Sequence, residues 1–166
     1  MGSLVFGRIL VALLLIFPLC ACHQAEAVSG RVSWVHDGDT IEVENIGRVR
    51  LLGIDTPELK DSDRDRFYQH QFGISPATLR LVARQATEYV IQHAQKRIVV
   101  LEFDEERIDP YGRTLAYVYL PDGRLLNQLL IEKGLAAVFR RAEFQLKEEF
   151  MTAEAEARDN GRGLWR

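Results

Sequence analysis

The feature that most constrains this chain is a set of five short segments dense in β-branched residues, at 28–35, 40–44, 49–54, 98–103 and 114–120. Asp37-Gly38 separates the first two, and Asn45-Ile46-Gly47 separates the second from the third. Both interruptions carry residues that reverse a chain at low steric cost, so three strands in meander order follow. Asp109-Pro110-Tyr111-Gly112 then joins the last two segments across a loop. Five twisted strands in an open sheet would leave two unpaired edges, which closure into a small barrel removes. An OB-type barrel fits this order, and so does an SH3-like barrel with helical additions.

Helical periodicity fills the remainder. A helix is predicted from Pro76, a residue suited to a first turn, with Leu79, Val82, Ala83, Ala86 and Val90 on one face. Two more are predicted at 125–133, stopped by Gly134, and at 143–160, stopped by Gly161. On the last, Leu146, Phe150, Ala153 and Ala157 share a face. Between strands and helices, residues 59–75 mix acids and arginines without an apolar period, and the pattern predicts a long exposed loop. Trp34, Trp165, Tyr117, Tyr119, Phe144 and Phe150 are expected to pack rather than to meet a ligand. The class is α+β, mainly strand with about three helices.

Residues 1–22 differ in kind. Arg8 is their only charge, and residues 9–19 form an almost unbroken apolar run. That run is short for a membrane span and suits the apolar region of a secretory signal. Leu19-Cys20-Ala21-Cys22 resembles a bacterial lipoprotein cleavage box, which predicts a signal at 1–21 and lipid on Cys22. Cleavage after Ala27 to release a soluble protein is the alternative. The organisation expected is a signal at 1–21, a tether at 22–29 and one domain at 30–166. The only two cysteines are Cys20 and Cys22, so that domain carries no disulfide. With 47% apolar and 27% charged residues, whole-chain disorder is excluded. A formal net charge of −3 excludes a protein that coats nucleic acid by bulk charge.

Four stretches carry the chemistry: Asp37-Gly38-Asp39-Thr40, Arg50-Leu51-Leu52, Ile54-Asp55-Thr56-Pro57-Glu58 and Asp109-Pro110-Tyr111-Gly112-Arg113. Each alone reads as a turn or a solvated charge, with Arg50 facing Glu42 across the hairpin. Together they form an inventory. Asp39 and Asp55 offer hard carboxylate oxygens with no Cys or His nearby, which suits Ca²⁺ or Mg²⁺ rather than Zn²⁺. The Thr56 carbonyl and several waters complete such a shell. Glu58, held by Pro57, can face a water from outside it. Arg50 and Arg113 offer planar forks that match phosphate oxygens. The set is that of a phosphodiesterase. His36, His70 and His93 have no ligand spacing, so zinc is not expected.

These stretches also make the chain similar to the thermonuclease family, the staphylococcal-nuclease-like domains. The likeness runs from about Val32 to Trp165. It takes in Val49-Arg50-Leu51-Leu52-Gly53-Ile54-Asp55-Thr56-Pro57-Glu58, Asp109-Pro110-Tyr111-Gly112-Arg113-Thr114-Leu115-Ala116, Asn127 with Gly134-Leu135-Ala136, and Gly163-Leu164-Trp165. The resemblance implies an OB-fold barrel with three helices and Ca²⁺-dependent endonucleolytic hydrolysis of DNA and RNA to 3′-phosphate products, by a monomer. It implies Asp39, Asp55 and the Thr56 carbonyl as calcium ligands, Glu58 as general base, and Arg50 and Arg113 as phosphate binders. Asp37 and Tyr111 take supporting positions near the metal and the nucleotide.

The chain also departs from the family pattern. Where the family's best-known member has two stacking tyrosines, this chain has Arg140 and Arg141, which replace stacking by charge or cation–π contact. Arg48, Arg50, Arg64, Arg66, Arg113, Arg140 and Arg141 are expected to form an electropositive rim for a nucleic-acid substrate, with membrane contact only through the lipid anchor. The competing class is a non-catalytic OB module that binds nucleic acid or protein. Such modules usually lose the acid or an arginine, whereas Glu58, Arg50 and Arg113 are all present.

Overall fold

The computed structural model describes residues 27–166. The expected signal at 1–21 and the lipidation site Cys22 lie outside them. Among the described residues there are seven strands: β1 (Ala27–Val35), β2 (Thr40–Val43), β3 (Gly47–Leu51), β4 (Ile54–Asp55), β5 (Ile98–Glu102), β6 (Thr114–Tyr119) and β7 (Ala137–Val138). Five of them close a barrel in the order β1-β2-β3-β6-β5, while β4 and β7 pair as a separate two-stranded sheet. The β3–β6 contact is parallel and the other barrel contacts are antiparallel. The mainly-β, OB-type expectation is borne out. Residues 27–29 open β1 and pair with residues 102–100 of β5, so the strand expected from residue 28 is present where it overlaps the expected tether.

Register explains the core. Val32 faces Val43, Ile41 faces Val49 and Leu101 faces Val118 across the ladders, and all six are buried. Because side chains alternate in period two, these pairs point into the barrel together. Trp34 corrects an expectation. The register shifts between Val32 and Trp34, which turns both Ser33 and Trp34 outward and leaves Trp34 57% exposed. Tyr117, Phe144 and Phe150 are buried as expected.

Among the described residues four α-helices accompany the barrel: α1 (Asp63–Phe72), α2 (Pro76–Ala94), α3 (Leu126–Glu132) and α4 (Lys147–Asp159). In α2 the predicted face is buried, Pro76 opens the first turn, and the Ser75 hydroxyl accepts the Thr78 amide at 3.2 Å. The expected start of the last helix at Glu143 moves to Lys147. Residues before it are tied elsewhere: the Gln145 amide donates to Asp104 at 2.7 Å and the Leu146 amide to the Tyr117 hydroxyl at 3.3 Å.

The larger correction is α1, which occupies most of the expected loop 59–75. Its apolar content is small, and polar ties hold it. Arg80 of α2 pairs with Asp65, Arg64 and Tyr68 reach Asp55, and Asp63 and Asp65 sit in the first turn, where acids complement the helix dipole. Gly73 ends it at φ +70°, where it lets residues 73 and 74 bond back to the Gln69 and Tyr68 carbonyls.

Candidate active site

The site forms where the β1–β2 turn, the end of β3 and the β4 segment converge. In the turn, the Asp37 carboxylate accepts the Asp39 amide at 3.0 Å, and the His36 amide donates to the Thr40 carbonyl at 2.9 Å. Gly38 is required by space: a Cβ there would stand 2.6 Å from the Ala86 Cβ. The turn aims Asp39 inward, where it is buried. Its Oδ2 accepts the Thr56 amide at 2.8 Å and the Thr56 hydroxyl at 2.9 Å, so one carboxylate fixes a residue 17 positions on. Its Oδ1 takes the Thr40 hydroxyl at 3.1 Å and one arm of the Arg50 guanidinium.

Arg50 stands opposite Thr40 in the β2–β3 ladder, whereas Glu42 stands opposite Arg48. The reading of Arg50 as an exposed partner of Glu42 is therefore replaced. Its side chain is only 17% exposed and bridges the two site aspartates, donating also to the Ile54 carbonyl at 3.2 Å and to Asp55 Oδ1 at 3.3 Å. Burial lowers the Arg50 pKa, the positive charge of Arg113 acts in the same direction, and Asp55, Asp37 and Glu58 oppose it.

Asp55 is held on its other oxygen from α1. Oδ2 accepts the Tyr68 hydroxyl at 2.8 Å and pairs with Arg64, and the same hydroxyl lies 3.1 Å from the Asp55 carbonyl. Glu58 follows at the exposed mouth. Partial burial raises its pKa, and the nearby charges of Asp37 and Asp55 raise it further against Arg50 and Arg64. Asp37, Asp39, Arg50, Asp55, Thr56 and Glu58 thus share one site.

Arg113 enters from the loop before β6. Parallel pairing of Val49 with Thr114 sets it beside β3. The Asp109 carboxylate shapes that loop, accepting the Tyr111 and Arg113 amides, each at 2.9 Å, and the Arg113 guanidinium at 2.7 and 2.6 Å. Burial raises the Asp109 pKa, but these donors outweigh it and hold the carboxyl below its usual value. Tyr111 is 84% exposed, with the Arg113 guanidinium 5.4 Å from its ring centre.

Arg140 and Arg141 are placed differently from each other. Arg141 is exposed, whereas Arg140 pairs with Glu154, an acid buried on α4 that also accepts the Val138 amide at 2.8 Å and contacts Arg158 at 3.0 Å. Of the expected rim, Arg50, Arg64, Arg113 and Arg140 each lie against a carboxylate.

Two residues on Asp55, Arg64 and Tyr68, and the buried Glu154 escape a reading by motif. The signals were present. Arg64, Tyr68 and Phe72 stand four apart, which is one helix face, and Glu154 lies four after buried Phe150 inside an apolar stripe.

The family described as staphylococcal nuclease homologue matches residues 48–166. A thermonuclease of Staphylococcus hyicus is 32% identical over 154 residues, spanning 90% of this chain and 82% of that protein. An uncharacterised protein of Methanocaldococcus jannaschii is 36% identical over 148 residues, spanning 82% and 70% respectively. An uncharacterised endonuclease of Escherichia coli is 34% identical over 141 residues, spanning 83% and 77%. By its match over most of its length, the chain belongs to the staphylococcal nuclease homologue family.

Proposed function

We propose that this protein is a calcium-dependent nuclease that cuts phosphodiester bonds within DNA or RNA and leaves 3′-phosphate ends. The observation that carries the reading is Arg50, a buried guanidinium bridging Asp39 and Asp55 within electrostatic reach of Glu58 and Arg113. A plain binding module has no use for that concentration of opposed charge in one place. The names of relatives, a thermonuclease and an endonuclease, support the same reaction class.

The donor set suits a hard cation. Asp39 and Asp55 bring carboxylate oxygens to one place, both within reach of Arg50, and the Thr56 backbone is tied to Asp39 beside them. Among the described residues no group of three or more His, Cys, Asp or Glu side chains is placed to hold a metal. An ion held by Asp39, Asp55 and the Thr56 carbonyl would draw the rest of its shell from water, as Ca²⁺ and Mg²⁺ do. Such an ion supplies positive charge for the phosphate oxygens.

The chain's own residues do the remainder. Glu58, exposed at the mouth of the site, takes a proton from the water that attacks phosphorus. The P–O5′ bond breaks as the P–OH bond forms, the departing 5′-oxygen takes a proton from solvent water, and phosphate stays on the 3′ side. Arg50 and Arg113 donate to the equatorial oxygens as charge grows there, and Tyr111 offers an exposed ring to the nucleotide. Removing one such donor costs about 10²–10³ in rate.

The test is single-stranded DNA incubated with the purified protein in Ca²⁺ or in chelator, beside Glu58→Gln and Arg113→Ala. Cleavage is expected with Ca²⁺ alone and reduced about 10²-fold or more in either folded variant. DNA retained but not cut by the native protein returns the reading to a binding module.

Export belongs to the proposal on the strength of the apolar run at 9–19 and the cleavage box ending at Cys22. Fractionation of cells expressing the full chain tests it. The protein is expected with membranes and Cys22→Ser in the soluble fraction, and an unchanged distribution excludes the lipid anchor.

A further inference from the structure

We propose that Arg64 of α1 is a built-in competitor for the divalent cation at Asp55, and that Tyr68 is the positioning residue that keeps Asp55 in place when Arg64 yields. The inference rests on the calcium reading above and concerns what controls access to that site.

Both oxygens of Asp55 are capped. Oδ1 meets Arg50 at 3.3 Å, and Oδ2 meets Arg64 and the Tyr68 hydroxyl, the latter at 2.8 Å. A cation reaches this carboxylate only if a donor gives way. Tyr68 is 1% exposed and bonds two oxygens of the same residue, so it cannot leave without opening the core. Arg50 is fixed by Asp39 and the Ile54 carbonyl besides Asp55. Arg64 is the least held of the three. Its side chain is 31% exposed and its polar partner is Asp55. The rings of Phe67 and Phe139, 5.2 and 6.0 Å from its guanidinium carbon, give it somewhere to rest when displaced.

Electrostatics at the shared atom points the same way. A divalent cation and the Arg64 guanidinium are both positive and meet at Asp55 Oδ2, so each weakens the other's hold there. The helix that carries Arg64 is suited to yield. Most of α1 is charged or polar, and its Ser62 N-cap makes no side-chain bond to the helix amides.

Calorimetric Ca²⁺ titration without nucleic acid tests this on the wild type, Arg64→Ala, Arg64→Gln and Tyr68→Phe, with thermal melts confirming that each is folded. Both Arg64 variants are expected to bind Ca²⁺ about tenfold more tightly, an ordinary size for coupling between two cations at one carboxylate. Tyr68→Phe, which frees no charge, is expected to bind more weakly than wild type. Wild-type binding with no gain in either Arg64 variant overturns the competitor and leaves the calcium reading standing. Tighter binding in Tyr68→Phe overturns its positioning role. Absence of Ca²⁺ binding in all four proteins overturns both this inference and the calcium reading.

Discussion

Asp104 follows β5 and turns its carboxylate toward donors from three separate stretches of chain. It accepts the Glu105 amide at 2.8 Å, the Tyr117 hydroxyl at 2.8 Å and the Gln145 amide at 2.7 Å, which fastens the approach to α4 onto the barrel. Burial alone would raise its pKa, but the amides of Gln145 and Glu105 and the Tyr117 hydroxyl outweigh it and hold the carboxyl below its ordinary value. Burial and the same acid raise the Tyr117 pKa, so its hydroxyl stays a donor at neutral pH. A depressed folded-state value stabilises the protein above the unfolded carboxylate pKa, and that contribution is lost as pH falls through the folded one. Asp104→Ala is therefore expected to cost about 1 kcal/mol at pH 7, near the low end for bonds to a charged group because the site is partly solvated. That is about 2–4 °C in Tm. Melts of both proteins from pH 7 downward should show the gap narrowing below about pH 4, the ordinary carboxylate value. A gap independent of pH would mean that Asp104 acts through packing alone.

At the scale of elements, what was legible is what period and turn chemistry encode. β-branched segments bounded by Asp37-Gly38 and Asn45-Ile46-Gly47 became barrel strands, and the apolar stripe from Leu79 to Val90 became the buried face of α2. Those signals are local, and the barrel satisfies them locally. α1 was hidden because its stability is not local. Its ties run to Asp55 in one direction and to Arg80 in the other, and no windowed pattern of apolar residues reports such long-range ion pairs. The site divides along the same line. Asp39, Asp55, Glu58, Arg50 and Arg113 sit in short motifs at turns, where spacing alone suggests chemistry. Arg64 belongs to the same cluster through a helix that the motif does not contain, and Glu154 holds Arg140 from α4 for the same reason. Trp34 fails in the opposite sense. Strand alternation assigns it a face, and one bulge reassigns it.

At the scale of the whole molecule, a net charge of −3 has to coexist with a polyanionic substrate. Seven arginines were expected to form a rim around the site, and the structure has already matched most of them with acids. Arg50 lies against Asp39 and Asp55, Arg64 against Asp55, Arg113 against Asp109 and Arg140 against Glu154, whereas Arg48 only stands opposite Glu42 in the ladder, and Glu42 is bonded to His36. Arg141 is exposed, and the 3.3 Å contact of Arg66 with Asp63 is a surface pair of little strength. Arg48, Arg66 and Arg141 are then readily given to phosphates, which for a single strand corresponds to a slope of about −2 in log affinity against log salt; seven would correspond to about −5. Anisotropy titrations of labelled single-stranded DNA against Glu58→Gln in chelator, across roughly 50 to 300 mM salt, measure that slope. A shallow slope means that the acids compete with phosphate for most of the arginines, so that binding is loose and productive contact at Arg50 and Arg113 requires their partners to be displaced. A slope near −5 would mean that the ion pairs open on contact with the strand, and that the rim works as one electrostatic surface despite them.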